Sequence, residues 1–196
     1  MTRIVLLAGA SGSGKSRLAR AAHALVVRLD DFYVDADAPG LPRTPHGFVD
    51  WDDVRTWDAA GAAGALSSLL RQGFADLPDY SISESRRTGW HRLDLDGHEL
   101  VIAEGIFAIE LLPVARAQGL PVEALYLDRS PALVAWLRLR RDLREHRKSP
   151  AVLVQRGLDL WRAQPELKRR ALAAGFRPVT MRQALALLSR IDSVRA

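Results

Sequence analysis

The chain has 196 residues, 48% apolar and 26% charged, a length and balance that fit one globular domain and exclude a disordered or fibrous chain. It contains no cysteine, which excludes disulfides, cysteine-ligated zinc and thiol catalysis, and no apolar run approaches the roughly 18 residues of a membrane span. The formal net charge is +5, but five arginines and one lysine fall between Arg138 and Lys148 against only Asp142 and Glu145, so the basicity is local and suits a small phosphorylated ligand better than a nucleic-acid face. With no signal-peptide pattern at its start, the sequence predicts a soluble, cytoplasmic protein.

In chain order, Arg3 to Ala8 reads as a strand, Gly9 to Gly14 as a loop, and Lys15 to about Ala24 as a helix. A second strand spans Leu25 to Leu29 and ends at Asp30 and Asp31. The stretch from Ala36 to Gly47 carries three prolines and two glycines and reads as loop. Asp52 or Asp53 caps a helix that reaches Arg71, with Gly73 just beyond its end. Residues 76–98 read as irregular, with at most a short hairpin. Leu100 to Ala103 is a third strand, ending at Glu104 and Gly105, and Val122 to Leu127 a fourth, ending at Asp128. Ser130 and Pro131 form an N-cap and first-turn pair for a helix running to about Arg147, and Arg177 to Thr180 is a short fifth strand. The first, third and fourth strands are almost continuous apolar runs, the pattern of strands covered by helices on both faces. An α/β fold follows, with a five-stranded parallel sheet flanked by helices in a single domain over residues 1–196.

The loop Gly9-Ala10-Ser11-Gly12-Ser13-Gly14-Lys15-Ser16 matches G-x-x-x-x-G-K-[ST] in full. Its glycines allow backbone N–H groups to turn inward around phosphate oxygens, and the following helix adds its positive N-terminal end. In that setting Lys15 neutralises the β- and γ-phosphates and the Ser16 hydroxyl binds Mg²⁺. An apolar strand before the motif and an amphipathic helix after it supply the context the motif needs. Lys15 is also one of only three lysines among 28 basic residues, kept against a strong arginine bias.

Ligands of open α/β sheets sit at the carboxyl ends of the strands, which selects Asp30, Asp31, Glu104 and Asp128 from the 23 acids. Phosphoryl transfer to a hydroxyl needs an acid at the acceptor and oxygen ligands for Mg²⁺, and Asp30 and Glu104 take those roles. Asp31 reads equally well as a solvated turn residue, and Asp128 as a cap for the next helix. The histidines at 23, 46, 91, 98 and 146 have no metal-ligand spacing. Trp57, Trp136 and Trp161 read as core residues. Trp51 stands in the acidic stretch Asp50-Trp51-Asp52-Asp53, as an aromatic face for a ring-bearing or polyol acceptor or as a hydrophobic staple for the helix start. On the basic helix, Leu133, Trp136, Leu137 and Leu143 face the sheet while Arg138, Arg141, Arg144 and Lys148 lie along another side. Arg141, with Arg138, is placed to stabilise the transferring phosphoryl group, on a lid spanning about residues 138–165 that excludes water.

With these residues assembled, the chain resembles the uridine kinase family, within the wider uridine kinase and phosphoribulokinase group of P-loop kinases. Asp30-Asp31-Phe32-Tyr33 is similar to the family's D-x-F-Y segment, which implies Asp30 at the acceptor hydroxyl and Tyr33 in the substrate pocket. Trp51-Asp52-Asp53 resembles its aromatic-Asp-His element, which implies Asp52 on sugar hydroxyls. Pro78-Asp79-Tyr80 and Arg87 match part of its P-x-Y-D-F-x-x-H-x-R stretch, which implies Tyr80 and Arg87 at the substrate. Ile102-Ala103-Glu104-Gly105-Ile106 resembles its E-G-I strand end, and Arg138, Arg141 and Asp142 match its R-x-x-R-D lid. Ser81, Ile82 and Ser85 stand where the family has Asp, Phe and His, and Asp53 replaces a histidine, so the family's pyrimidine contacts are missing.

The resemblance covers about residues 1–148 and implies ATP or GTP as donor, Mg²⁺, and a hydroxyl acceptor such as the 5′-hydroxyl of uridine or cytidine. Two other readings compete. One is a P-loop kinase for another acceptor, such as pantothenate or a sugar phosphate. The other is a nucleotide-binding regulator or nucleic-acid-associated NTPase. The partners expected are a nucleoside triphosphate and a small-molecule acceptor, without membrane or nucleic acid, and a homo-oligomer is compatible with the sequence.

Overall fold

The apolar runs become the strands of one sheet in a computed structural model, which describes residues 2–134, 136–137 and 164–189. The elements in chain order are β1 (Arg3–Ala8), α1 (Lys15–Ala21), β2 (Leu25–Arg28), a 3₁₀ turn (Leu29–Phe32), α2 (Ala59–Gln72), β3 (Phe74–Ser81), β4 (Arg86–Asp94), β5 (Leu100–Glu104), α3 (Ala108–Ala117), β6 (Val122–Leu127), β7 (Arg177–Val179) and α4 (Met181–Leu188). Residues 131–134 and 164–173 are also helical. Five strands form one sheet in the order β2-β5-β1-β6-β7, and β3 and β4 form a separate two-stranded sheet. The fold is α/β, with a mostly parallel five-stranded sheet flanked by helices. No described helix is long and apolar enough to cross a membrane.

The chain divides into two compact units, Met1–Leu6 with Ala24–Glu123 and Leu7–His23 with Ala124–Ala196. In the first, β2 and β5 pair in parallel from Leu25↔Val101 to Arg28↔Glu104, which brings their carboxyl ends side by side. Its core holds Val27, Leu29, Phe32, Leu66, Leu69, Val101, Ile102, Leu111 and Leu112, each at most 3% exposed. Every large side chain so buried contributes roughly 1.5–3 kcal/mol. The many alanines of α2 let it approach both β3 and α3 closely. Trp57 is core, as its sequence context predicts: it stacks on Phe107 with centroids 5.1 Å apart, and its Nε1 donates to the Leu29 carbonyl at 2.7 Å.

The second unit carries the loop Gly9 to Ser16. Here β6 and β7 pair in parallel from Leu125↔Arg177 to Leu127↔Val179, and α1 packs on α4. Thr180 and Gln183 form a reciprocal capping box that starts α4. Lys168 pairs with Asp128 at 2.7 Å, and the Gln164 amide donates to the Arg129 carbonyl at 2.7 Å.

Several expectations need correction. The single helix from Asp52 or Asp53 to Arg71 is two elements: Asp53 caps a 3₁₀ turn over Val54–Thr56, and Asp58 starts α2 by accepting from the Gly61 amide at 2.8 Å. Residues 76–98 are not irregular but carry the long β3–β4 hairpin, registered from Phe74↔Asp94 to Ser81↔Arg86. Asp128 does not cap the next helix; Ser130 does, its Oγ accepting from the Leu133 amide at 3.3 Å. Trp136 is 55% exposed, not core. The helix α1 stops at Ala21, and Glu104 falls inside β5. Arg138, Arg141, Asp142, Arg144, Lys148, Trp161 and nearly all of the expected lid lie outside the described residues.

Candidate active site

The phosphate loop belongs to the second unit. It leaves β1 at Gly9, where a Cβ would stand 3.2 Å from both the Leu127 carbonyl oxygen and the Ser13 Oγ, so only glycine lets the loop turn against β6. Gly14 sits in the left-handed region at φ 96°, ψ 24° as the N-cap of α1, a conformation that glycine adopts without strain. Between them Ala10 and Ser13 are buried, Ser11 is exposed, Gly12 is half-buried, and the Ser13 amide closes the turn on the Ala10 carbonyl at 3.0 Å. Lys15 folds back over the loop: its Nζ donates to the Gly9 carbonyl at 2.9 Å and to the Ala10 carbonyl at 3.3 Å. An ammonium folded over the loop stands where phosphate oxygens would make charge-assisted bonds to it. Ser16 follows on the first turn of α1, with its side chain at the surface.

The acceptor-side residues belong to the first unit. The chain leaves β2 in the 3₁₀ turn that carries Asp30 and Asp31, beside the end of β5. An Asp30 carboxylate oxygen accepts from the Ile106 amide at 3.3 Å. At Gly105 a Cβ would come within 2.6 Å of the Leu29 Cβ and 2.8 Å of Asp30 Oδ1, so this glycine is what allows the β5–α3 turn to reach Asp30. The parallel register thus brings Asp30 and Glu104 to the same edge of the unit, as the strand-end rule predicts.

An aromatic cluster stands next to them. Tyr33 meets Trp51, Tyr80 and Phe107 with ring centroids 5.4, 5.6 and 5.6 Å away, and its hydroxyl donates to the Trp51 carbonyl at 3.1 Å. The Tyr80 hydroxyl donates to the Val34 carbonyl at 3.3 Å. Burial pushes the Tyr33 phenol well above its ordinary pKa, and the nearby Asp30 and Asp52 carboxylates push in the same direction, so the ring stays neutral. Trp51 therefore packs as part of the cluster, edge-on to Tyr33. Phe107 was not singled out by the sequence, although it stands two residues after Gly105. Asp52 is exposed beside the cluster, and Asp53 is committed to Arg55, whose hydrogen bonds hold its carboxyl at about 2.

Arg87 stands opposite Tyr80 across the hairpin. Its amide donates to Asp35 at 2.7 Å, while its guanidinium lies 4.6 Å from the Trp90 ring centroid and lines a cleft of about 190 Å³ with Phe32, Asp58 and Pro78. Tyr80 instead lines a second cleft, of about 220 Å³, with Arg28, Asp31, Asp79 and His91. The bulge between Asp79 and Tyr80 shifts the strand register just there. In the second cleft the His91 ring and Asp79 are 2.7 Å apart, and Arg28 stands 3.4 Å from Asp31. Burial raises the Asp31 carboxyl above its ordinary value, outweighing the lowering pull of Arg28.

No group of three His, Cys, Asp or Glu residues able to hold a metal occurs among the described residues. A hydroxyl or a carboxylate suits Mg²⁺, a hard cation that retains water and takes few protein ligands beside substrate phosphates.

No protein-family model matches the chain. The chain is similar to the uridine kinase of Tolumonas auensis, 29% identical over 163 residues that cover 78% of this chain and 74% of that relative. It is similar to the uridine kinase of Geobacillus kaustophilus at 26% identity over 165 residues, 81% and 76% of the two chains. The fold is shared with a candidate fructose transport system kinase of Silicibacter sp. TM1040 at a TM-score of 0.59 and 21% identity, over 91% of this chain and 88% of that one. The resemblance to uridine kinase-like P-loop kinases thus extends well beyond the short motifs, and these relatives support a phosphotransferase.

Proposed function

We propose that the chain is an ATP-dependent small-molecule kinase of uridine kinase type, which transfers the γ-phosphoryl group to a hydroxyl of an uncharged acceptor. The observation that carries this reading is the complete phosphate loop with Lys15 folded onto the Gly9 and Ala10 carbonyls. In the reaction the acceptor oxygen forms a bond to the γ-phosphorus as the bond from that phosphorus to the β,γ-bridging oxygen breaks, leaving ADP, and the hydroxyl proton is taken up by Asp30 or passed by it to water. Little covalent chemistry is asked of the protein, so its work is positioning and charge stabilisation. Lys15 and the loop hold the triphosphate. Asp30, fixed by the Ile106 amide, orients the acceptor. Ser16 and Glu104 would hold Mg²⁺, directly or through water, and that ion would supply charge neutralisation on the phosphate oxygens. Arg138 and Arg141, outside the described residues, are assigned to the transferring group on the resemblance alone.

The charges around Asp30 bear on the acceptor. Asp31 and Asp52 stand near Asp30, while Arg28 is engaged with Asp31, Arg55 with Asp53, and Arg87 lies over Trp90. Such a setting repels a carboxylate or phosphate and accepts hydrogen bonds from hydroxyls, which favours a nucleoside or a sugar over pantothenate or a sugar phosphate. A nucleoside 5′-hydroxyl is the first acceptor to test. A free sugar is the second, because Ser81, Ile82 and Ser85 stand where the resembling family has Asp, Phe and His, and Ile82 is 68% exposed. Asp30→Asn should lower turnover at least roughly a hundredfold while ATP binding persists. Near-normal turnover in that variant would remove Asp30 from the mechanism.

A further inference from the structure

We propose that Arg129 is a donor-nucleotide contact, a cation that meets the donor's phosphates beside the phosphate loop; the inference rests on the nucleotide reading of that loop. The turn after β6 assigns each of its three polar side chains a different task. Asp128 is engaged by Lys168 at 2.7 Å, and Ser130 caps the helix that follows. Arg129 lies between them with its carbonyl clamped at 2.7 Å by the amide of Gln164, a residue only 7% exposed. Its backbone is therefore fixed, and its side chain has a defined place to reach.

That place is the phosphate loop. One terminal nitrogen of the guanidinium stands 4.0 Å from the position a Cβ would take at Gly14, the residue directly before Lys15, and Met181 Cε lies 3.2 Å from the same position. The Arg129 Nε is buried with no hydrogen-bond partner among the described residues. Arg129 as a whole is half-buried, and a partly desolvated guanidinium ordinarily has a carboxylate beside it. The acid next to it in sequence, Asp128, is taken by Lys168. Arg129 shares its unit with Lys15 of the phosphate loop. An anion can meet both cations, and the anion of this loop is the polyphosphate of the donor. Arginine suits the task because its forked donors match phosphate geometry and it never loses its charge.

The test is calorimetric titration of the full chain with MgATP and, separately, with inorganic tripolyphosphate, for the wild type, Arg129→Met and Arg129→Lys. Loss of a charge-assisted contact should weaken both ligands by roughly tenfold to a hundredfold in R129M, by similar factors, with R129K in between. If R129M does not fold, R129K alone carries the test through a parallel, smaller loss for both ligands. R129M binding MgATP as tightly as the wild type would overturn the inference and leave the loop's reading standing. A loss confined to MgATP, with tripolyphosphate unaffected, would place Arg129 against the nucleoside and also overturn it. A wild-type chain that binds neither ligand while Lys15 is intact would overturn the nucleotide reading itself, and this inference with it.

Discussion

Lys15 and Asp30 are each held by a contact that a substrate can replace: Lys15 by two loop carbonyls, Asp30 by the Ile106 amide. Lys15→Ala should therefore abolish MgATP binding as read by calorimetry, whereas D30N should retain it and lose turnover. Equal ATP affinity in the wild type and the Lys15→Ala variant would show that the loop does not bind nucleotide. Asp31, one residue from Asp30, is governed by a different balance. Burial raises its carboxyl above 3.8, its ordinary value, although Arg28 pulls it down. A carboxyl raised in the folded state favours folding when protonated, so its contribution is full below 3.8 and is lost as pH rises through the higher native value. Asp31→Asn should raise the melting temperature at about pH 7, and its advantage should vanish below the ordinary carboxylate range. A lower melting temperature at neutral pH would mean that the pair with Arg28 outweighs burial.

At the scale of elements, two joints decide where the acceptor-side groups stand. Gly105 lets the β5–α3 turn approach Asp30, and a Cβ there would press on Leu29 and on the Asp30 carboxylate at 2.6 and 2.8 Å. Gly105→Ala should cost roughly 1–3 kcal/mol by denaturant unfolding and lower turnover as Asp30 is displaced. An unchanged stability would show that the turn has room to spare. Asp58 starts α2, and Asp58→Ala should cost about 1 kcal/mol through the lost cap on the Gly61 amide, read from the same unfolding curves. The sequence pointed to Asp52 or Asp53 for this task because they precede the same apolar stretch; the chain breaks at Trp57, whose indole is drawn into the core by Leu29 and Phe107. The β3–β4 hairpin escaped the sequence for a related reason. Its strands pair polar residues on both faces, Arg92 with Asp76 at 3.0 Å and His91 with Asp79 at 2.7 Å, and β3 contains Pro78. Alternation of apolar and polar residues is absent where both faces carry charge, and a proline argues against a strand. By contrast β1, β5 and β6 were legible because each is an apolar run with helices over it, and the ends of β2 and β5 located Asp30 and Glu104. That Tyr80 and Arg87 line different clefts was not legible, since the register there depends on the bulge at Asp79 and Tyr80.

For the molecule as a whole, charge is divided by task. The phosphate loop, with Lys15 and Arg129, lies in one unit, and the carboxylates around Asp30 lie in the other. The proposed reading assigns a triphosphate donor to the first of these and an uncharged hydroxyl acceptor to the second. A kinase withholds its donor from water until the acceptor is in place, which a nucleotide-hydrolysing regulator does not. The most direct test of the proposed activity is Mg²⁺- and ATP-dependent ADP release, measured without acceptor and with nucleosides, free sugars, pantothenate and sugar phosphates in turn. The expected result is near silence without acceptor, release driven by an uncharged nucleoside or sugar, and loss of that release in both Lys15→Ala and D30N. ADP release that is equally fast with no acceptor, or that survives Lys15→Ala, would contradict a kinase acting through this loop.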